Sequence, residues 1–238
     1  MTILDTIIAH KRIETELRKL ERPVKLLEKS EYFSMPVISM SKAISQGNKQ
    51  GIIAEFKRKS PSKGMINANV SVESVTKGYV AAGASALSVL TDSSFFGGNT
   101  KDFLTARKSN TCPILRKDFV IDEYQIVESK AMGADTILLI AAALEPKQLK
   151  QLADFAHSFS LEVLLEVHDE NELKSNEGTS VELIGVNNRS LKTFNVDVAV
   201  SKKLAPQIPD SVVKISESGI ESVSVIHELK TYGFKGFL

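Results

Sequence analysis

Eight short apolar runs, separated by longer amphipathic stretches, constrain this chain more than any other feature. They read "GIIAEFK", "ALSVLT", "CPILRK", "DTILLIA", "LEVLLEV", "ELIGVN", "VVKISE" and "KGFL". Each has the length and β-branched content of a strand, and strands alternating with helices predict a parallel sheet with right-handed crossovers. The polar or terminal ends of these runs, at Lys57, Thr91, Lys117, Ala141, Glu166, Asn187, Glu217 and Leu238, lie 21 to 34 residues apart. That interval holds one strand, one helix and two loops. Such a sheet either closes into a (β/α)8 barrel or stays open and doubly wound; the near-even spacing and the lack of an early glycine-rich nucleotide motif favour the barrel. The expectation is one α/β domain over residues 1–238, a (β/α)8 TIM barrel, with residues 1–48 as an N-terminal helical extension.

The connecting stretches support that reading. "VESVTKGYVAAG", "DEYQIVESKAMG", "EPKQLKQLADFAHSF" and "ESVSVIHELKTYG" carry helical patterns; Gly83, Gly133 and Gly233 stand where helices end, and Asp122 and Ser222 where they begin. Before the first strand, Ile3, Ile7, Ile8, Leu17 and Leu20 form a helical stripe, which predicts an extra helix packed on the barrel.

Six of the first seven strands finish in a charged, hydroxyl or amide residue, and in a barrel those ends converge on one mouth. In the first strand Ile53, Glu55 and Lys57 share a face, while Ile52, Ala54 and Phe56 share the other. A carboxylate and an ammonium are costly in a core but serviceable at a mouth, where they meet each other, substrate and water. Glu55, Lys57, Lys117, Glu166 and Glu217 are therefore candidate acids and bases, able to shift one another's proton affinity toward neutrality. An ion-pair network that merely neutralises the mouth is the competing account. Asn187 and Arg189 in "GVNNRS" offer an amide and a planar fork suited to a carboxylate. Ser218 and Gly219 in "SESGI", after strand seven, sit where barrels often hold phosphate. Phe96 and Phe119 follow strands two and three and could wall an aromatic ligand.

Composition narrows the partners. With 30 Lys and Arg against 29 Asp and Glu, the formal net charge of +1 supplies no general field for nucleic acid or an anionic membrane. The single cysteine, Cys112, permits no intrachain disulfide and favours a reducing, cytoplasmic setting. His10, His157, His168 and His227 show no metal-ligand spacing, and of these only His168, close to Glu166, is placed to approach the mouth. The N-terminus lacks the pattern of a signal peptide, and no apolar run is long enough to span a membrane. No metal is expected, and a monomer or weak homo-oligomer is.

The motifs taken together resemble the indole-3-glycerol-phosphate synthases of tryptophan biosynthesis. "IIAEFKRKSPSKG", "SVLTDSSFFGG", "PILRKDFVID", "GADTILLIAAAL", "LLEVHDENEL", "IGVNNR" and "ISESGI" follow in the family's order. Ser190 departs from the Asp the family commonly has after Asn-Arg, and family members continue beyond "GFL" into a further loop and helix, so the barrel is expected to stop within its eighth strand.

The resemblance implies a small sugar-phosphate substrate, 1-(2-carboxyphenylamino)-1-deoxyribulose 5-phosphate, and its conversion to indole-3-glycerol phosphate with loss of carbon dioxide and water. It implies Lys117 as the acid that protonates the sugar carbonyl, Glu166 in later proton removal, Asn187 orienting the reacting hydroxyl, and Lys57 on phosphate and in dehydration. Glu55 and Glu217 would tune the lysines. Ser60 and Arg189 would meet the anthranilate carboxylate, Phe96, Phe119 and Leu138 its ring, and Ser218, Gly219 and Leu238 the phosphate end. No cofactor is implied, because the cationic ring-closed intermediate itself accepts the electrons of the departing carboxylate. From the residues alone, a Schiff-base aldolase with Lys117 as nucleophile and a non-catalytic phosphate-binding barrel stay open.

Overall fold

A computed structural model describes residues 2–46, 50–61, 64–191 and 193–238. Eight parallel strands form one sheet in sequential order: β1 (Ile53–Phe56), β2 (Ala86–Leu90), β3 (Ile114–Lys117), β4 (Thr136–Ile140), β5 (Glu162–Val167), β6 (Leu183–Asn187), β7 (Val213–Glu217) and β8 (Gly236–Phe237). The last returns to the first: Ile52 bridges Phe237 in parallel, and the Phe237 N–H donates to Gly51 O. The sheet is thereby a (β/α)8 barrel. Every strand ends within one residue of its expected position.

Helices α4 (Val72–Ala81), α5 (Thr100–Ser109), α6 (Glu123–Ala131), α7 (Pro146–Ser158), α8 (Glu170–Ser175), α9 (Ala199–Leu204) and α10 (Val223–Thr231) occupy the crossovers. Asp122 and Ser222 cap α6 and α10 as expected, each accepting a main-chain N–H from the first turn. Among the described residues no helix is long and apolar enough to cross a membrane. The turn expected in "SPSKG" belongs to a two-stranded antiparallel ribbon pairing Lys59–Ser60 with Gly64–Met65. Its Ser62 and Lys63 lie outside the described residues, as do Met1, Gly47 and Asn48 of the expected N-terminal extension.

Period-two alternation sorts the strand side chains into two layers. Ile53, Ala86, Leu115, Leu138, Leu164, Leu183 and Ile215 meet inside the barrel. Phe56, Leu87, Val89 and Ile114 point out, against Phe103 and Ala106 of α5. Glu55 and Lys57 share the parity of Ile53, so they face inward toward the end where the strands finish. At the opposite end, Met40 and Ile44 of α3 (Met40–Ser45) join the interior cluster, and Ser39 and Ser41 donate to Glu162 at the start of β5.

Ahead of the barrel come α1 (Ile3–Glu21) and α2 (Val24–Leu27). The predicted apolar stripe on α1 is correct only for its first half. Ile7 is buried, but Leu17 and Leu20 are 55% and 82% exposed; the inward face runs instead through Leu4, Ile7, Lys11 and Thr15. Past its second turn the helix docks through charges, Arg18 on Glu128 and Lys19 on Asp122, so an apolar pattern could not reveal which face is covered.

Candidate active site

The C-terminal ends of the strands open into a cavity of about 350 Å³. Glu55, Lys57, Lys117, Leu138, Glu166, Asn187, Glu217 and Leu238 reach its wall from the strands and the residues just after them; Ser60, Phe96, Phe119, Arg189 and Ser218 reach it from the loops. Thirteen of the fourteen predicted site residues thus share one space. Gly219 stands behind the wall: its φ is +74°, and a Cβ there would lie 2.6 Å from Val196 Cγ1, so the turn itself requires glycine. Ile3, Leu4 and Ile7 of α1 also line the cavity; Ile3 and Ile7 were expected only to pack α1 on the barrel, and Leu4 was not among the expected residues.

At the cavity floor Lys117 Nζ donates to Glu217 Oε2 at 2.7 Å and to Glu166 Oε2 at 3.1 Å. The other oxygen of Glu166 accepts from Asn187 Nδ2 at 3.2 Å and faces His168 Nε2 at 3.4 Å. His168 does not line the cavity; it stands behind Glu166, with Nδ1 3.1 Å from Glu172 Oε2. Lys57 and Glu55 form an ion pair of their own, and Ser88 Oγ donates to the second Glu55 oxygen at 3.4 Å. The buried carboxyl of Glu217 fits because its neighbour on β6 is Gly185: any Cβ at that position would overlap Glu217 Oε1.

These contacts divide the two buried carboxyls. Burial is the largest influence on both and opposes their charge. For Glu166 the Lys117 ammonium, then His168 and the Asn187 hydrogen bond outweigh burial and bring the carboxyl down to about 2. For Glu217 they do not: burial dominates, Lys117 offsets only part of it, Glu166 adds repulsion, and the carboxyl is pushed up to about 7. Burial works against the charge of Lys117 as well, but Glu217, Glu166 and Glu55 hold its proton well above the ordinary lysine range. The floor therefore carries an ammonium, a fixed carboxylate and a carboxyl that changes charge near neutrality.

Phe96 and Phe119 face one another with ring centroids 6.0 Å apart and planes tilted by 39°. Across the mouth, the Arg189 N–H donates to Asn187 Oδ1 at 3.0 Å and its Nη1 to Phe194 O at 3.3 Å. Ser190 organises that loop: its Oγ accepts from Thr193 N and its carbonyl from Phe194 N. Ser218 sits at φ +67°, with its N–H on Leu238 O.

The family model for indole-3-glycerol phosphate synthase matches residues 4–238. The chain belongs to that family. Indole-3-glycerol phosphate synthase from Bacteroides thetaiotaomicron is 48% identical over 236 residues, covering 99% of this chain and 90% of the relative. The Chromobacterium violaceum protein of the same name is 41% identical over 239 residues, again covering 99% and 90%. Among solved structures, N-acetylmannosamine-6-phosphate 2-epimerase from Clostridium perfringens superposes with a TM-score of 0.64 at 12% identity, covering 84% of this chain and 88% of that one. That likeness is one of fold alone.

In this indole-3-glycerol phosphate synthase family member, further residues that the strand ends did not announce stand in or behind the cavity wall. Gly185 makes room for Glu217, His168 backs Glu166, and Asp92 and Asp118 line the cavity beneath the phenylalanine loops. Asp118 had a readable signal, since it follows Lys117 directly. Gly185 had a fainter one, a glycine inside a strand, which often marks a close approach.

Proposed function

We propose that this chain closes the indole ring of 1-(2-carboxyphenylamino)-1-deoxyribulose 5-phosphate, releasing carbon dioxide and water to give indole-3-glycerol phosphate. The observation that carries the assignment of roles is Lys117, held charged between Glu166 and Glu217 on the floor of a cavity that also presents two phenyl rings and an arginine. A charged ammonium is an acid and a poor nucleophile, which favours proton delivery over Schiff-base formation at this lysine.

In this reading Phe96, Phe119 and Leu138 hold the aromatic ring, while Arg189 and Ser60 take its carboxylate. The ring carbon bearing that carboxylate attacks the sugar carbonyl, and Lys117 protonates the carbonyl oxygen as the carbon–carbon bond forms. The positive charge left on the ring and nitrogen draws in the electron pair of the carboxylate, and carbon dioxide departs. Lys57 then protonates the leaving hydroxyl, oriented by Asn187, while Glu166 accepts the proton whose loss completes the indole. Ser218, the turn at Gly219 and Lys57 receive the phosphate, with Leu238 beside it. Glu55 is the ion-pair partner that positions Lys57, and Glu217 helps keep Lys117 charged.

The surroundings proposed with this reading are a cytoplasmic enzyme, monomeric or weakly self-associating, that encloses one small phosphorylated substrate. Mixing the protein with the carboxyphenylamino sugar phosphate and following indole fluorescence tests it. Product formation that stops in Lys117→Ala supports the assignment; no product from the unaltered chain overturns it.

A further inference from the structure

Outside the Lys117 cluster, a closed ring of six alternating charges docks α1 on the barrel. Lys11 pairs with Glu14, Glu14 with Arg18, Arg18 with Glu128, Glu128 with Arg116, Arg116 with Asp118, and Asp118 with Lys11 again. Lys11 is 1% exposed and has a third partner, Asp92, 3.0 Å away. Burying so many charges gains little stability over apolar docking. What distinguishes this arrangement is the use made of the remaining oxygens.

Asp92, in the loop after β2, pairs with Lys11 through Oδ2, while its Oδ1 accepts the main-chain N–H groups of Phe95 and Phe96 at 2.8 and 3.2 Å. Asp118, just after β3, pairs with Lys11 through Oδ1 at 2.9 Å, and the same oxygen accepts the N–H of Phe119 at 2.8 Å. One ammonium from outside the barrel thus holds both carboxylates that anchor the paired phenyl rings. Asp118 keeps Arg116 and Thr91 as partners in any event. Among the described residues, the only ion pair of Asp92 is with Lys11. Without that cation, two buried carboxylates would repel across the mouth, and the less tethered loop, carrying Phe96, would move.

We propose that Lys11 is a positioning residue for the aromatic slot: through Asp92 and Asp118 it fixes the spacing of Phe96 and Phe119, and so the grip on the substrate ring. This rests on the functional reading above, and deepens it by giving α1 a part in recognising the ring. Glycerol 3-phosphate, which lacks the ring, is the control ligand.

The test is calorimetric binding of indole-3-glycerol phosphate and of glycerol 3-phosphate to the unaltered protein, Lys11→Met and Asp92→Asn, with KM and kcat measured alongside. Loss of one aromatic contact corresponds to roughly tenfold in affinity. Lys11→Met is expected to lose about that factor for the ring-bearing ligand and in KM, less than twofold for glycerol 3-phosphate, and little in kcat. Asp92→Asn keeps an acceptor for the two N–H groups but loses the charge; it is expected to show a smaller loss of the same ring-specific kind, and decides the matter if Lys11→Met does not fold. Equal losses for both ligands, or unchanged affinity for both in either folded variant, would overturn the positioning role. Failure of the unaltered protein to bind indole-3-glycerol phosphate would overturn the functional reading, and this proposal with it.

Discussion

Replacing Gly185 by alanine adds one methyl group on the inner face of β6, where a Cβ falls well inside the 3.0 Å that real Cβ atoms keep from Glu217 Oε1. Leu164 Cδ1, 3.2 Å from the same point, leaves no slack on the other side. The carboxyl must retreat, and a misplacement of about 1 Å among catalytic groups costs on the order of 10²-fold in rate. The bond at risk is Glu217 Oε2 to Lys117 Nζ, now 2.7 Å, which a shift of that size carries out of hydrogen-bonding range. Overpacking a tight core also costs about 1–3 kcal/mol of stability. Gly185→Ala is therefore expected to fold with a lowered thermal midpoint, to keep KM within a few-fold, and to lose about 10²-fold in kcat. Steady-state indole fluorescence and a melting curve measure all three. The decisive comparison is a double-mutant cycle with Glu217→Gln: if the methyl acts through that carboxyl, the second substitution costs far less on top of the first than alone. Fully additive losses, or an unchanged kcat, would refute the reasoning.

Lys117→Ala is expected to lower kcat by roughly 10²–10⁴ while ligand affinity is largely kept; near-normal turnover would remove it from the chemistry. Arg189→Lys keeps the charge but loses the planar fork, so KM should rise more for the carboxylated substrate than for an analogue lacking that carboxylate; equal rises would make Arg189 a loop support through Phe194. The raised Glu217 carboxyl means that the native state holds its proton more tightly than the unfolded chain does, so stability falls as pH rises from the ordinary value of 4.5 to about 7. Thermal midpoints across that range should decline for the unaltered protein and decline less for Glu217→Gln, and parallel curves would contradict the assignment. Burial works against a proton on His168, but Glu172 and Glu166 more than restore it, and the ring adds to Lys117 in keeping Glu166 ionised. In His168→Leu the acid limb of the kcat–pH profile should therefore move to higher pH, and a limb that stays in place would leave His168 only structural.

Much of this barrel was legible because its signals are local. A strand announces itself by a few consecutive apolar residues, a crossover by an interval, and a mouth by what ends each strand; Lys117, Glu166, Asn187 and Glu217 needed no knowledge of their neighbours. Glu55 was readable by parity alone, two residues from Ile53 on the same face. The residues that escaped are those whose meaning depends on a partner far along the chain.

Lys11 shows why. On α1 it occupies an inward position, four residues after Ile7, where sequence patterning expects an apolar side chain, and nothing nearby explains an ammonium there. Glu14 and Arg18 read equally well as an exposed i, i+4 pair. The barrel partners of Lys11 and Arg18, namely Asp92, Asp118 and Glu128, sit about 80 to 110 residues later, and only barrel closure with α1 laid beside the loops after β2 and β3 brings them within 3.1 Å. The same holds at Gly185, whose missing side chain matters only because the Glu217 carboxyl, reaching over from two residues past Gly185's register partner Ile215, fills the space. Apolar periodicity therefore locates a barrel's strands and its mouth, while the charge pairing and steric vacancies that tune the mouth are properties of register and docking. Lys11, a charged residue on a first helix, is buried because it pairs with two carboxylates that line the cavity.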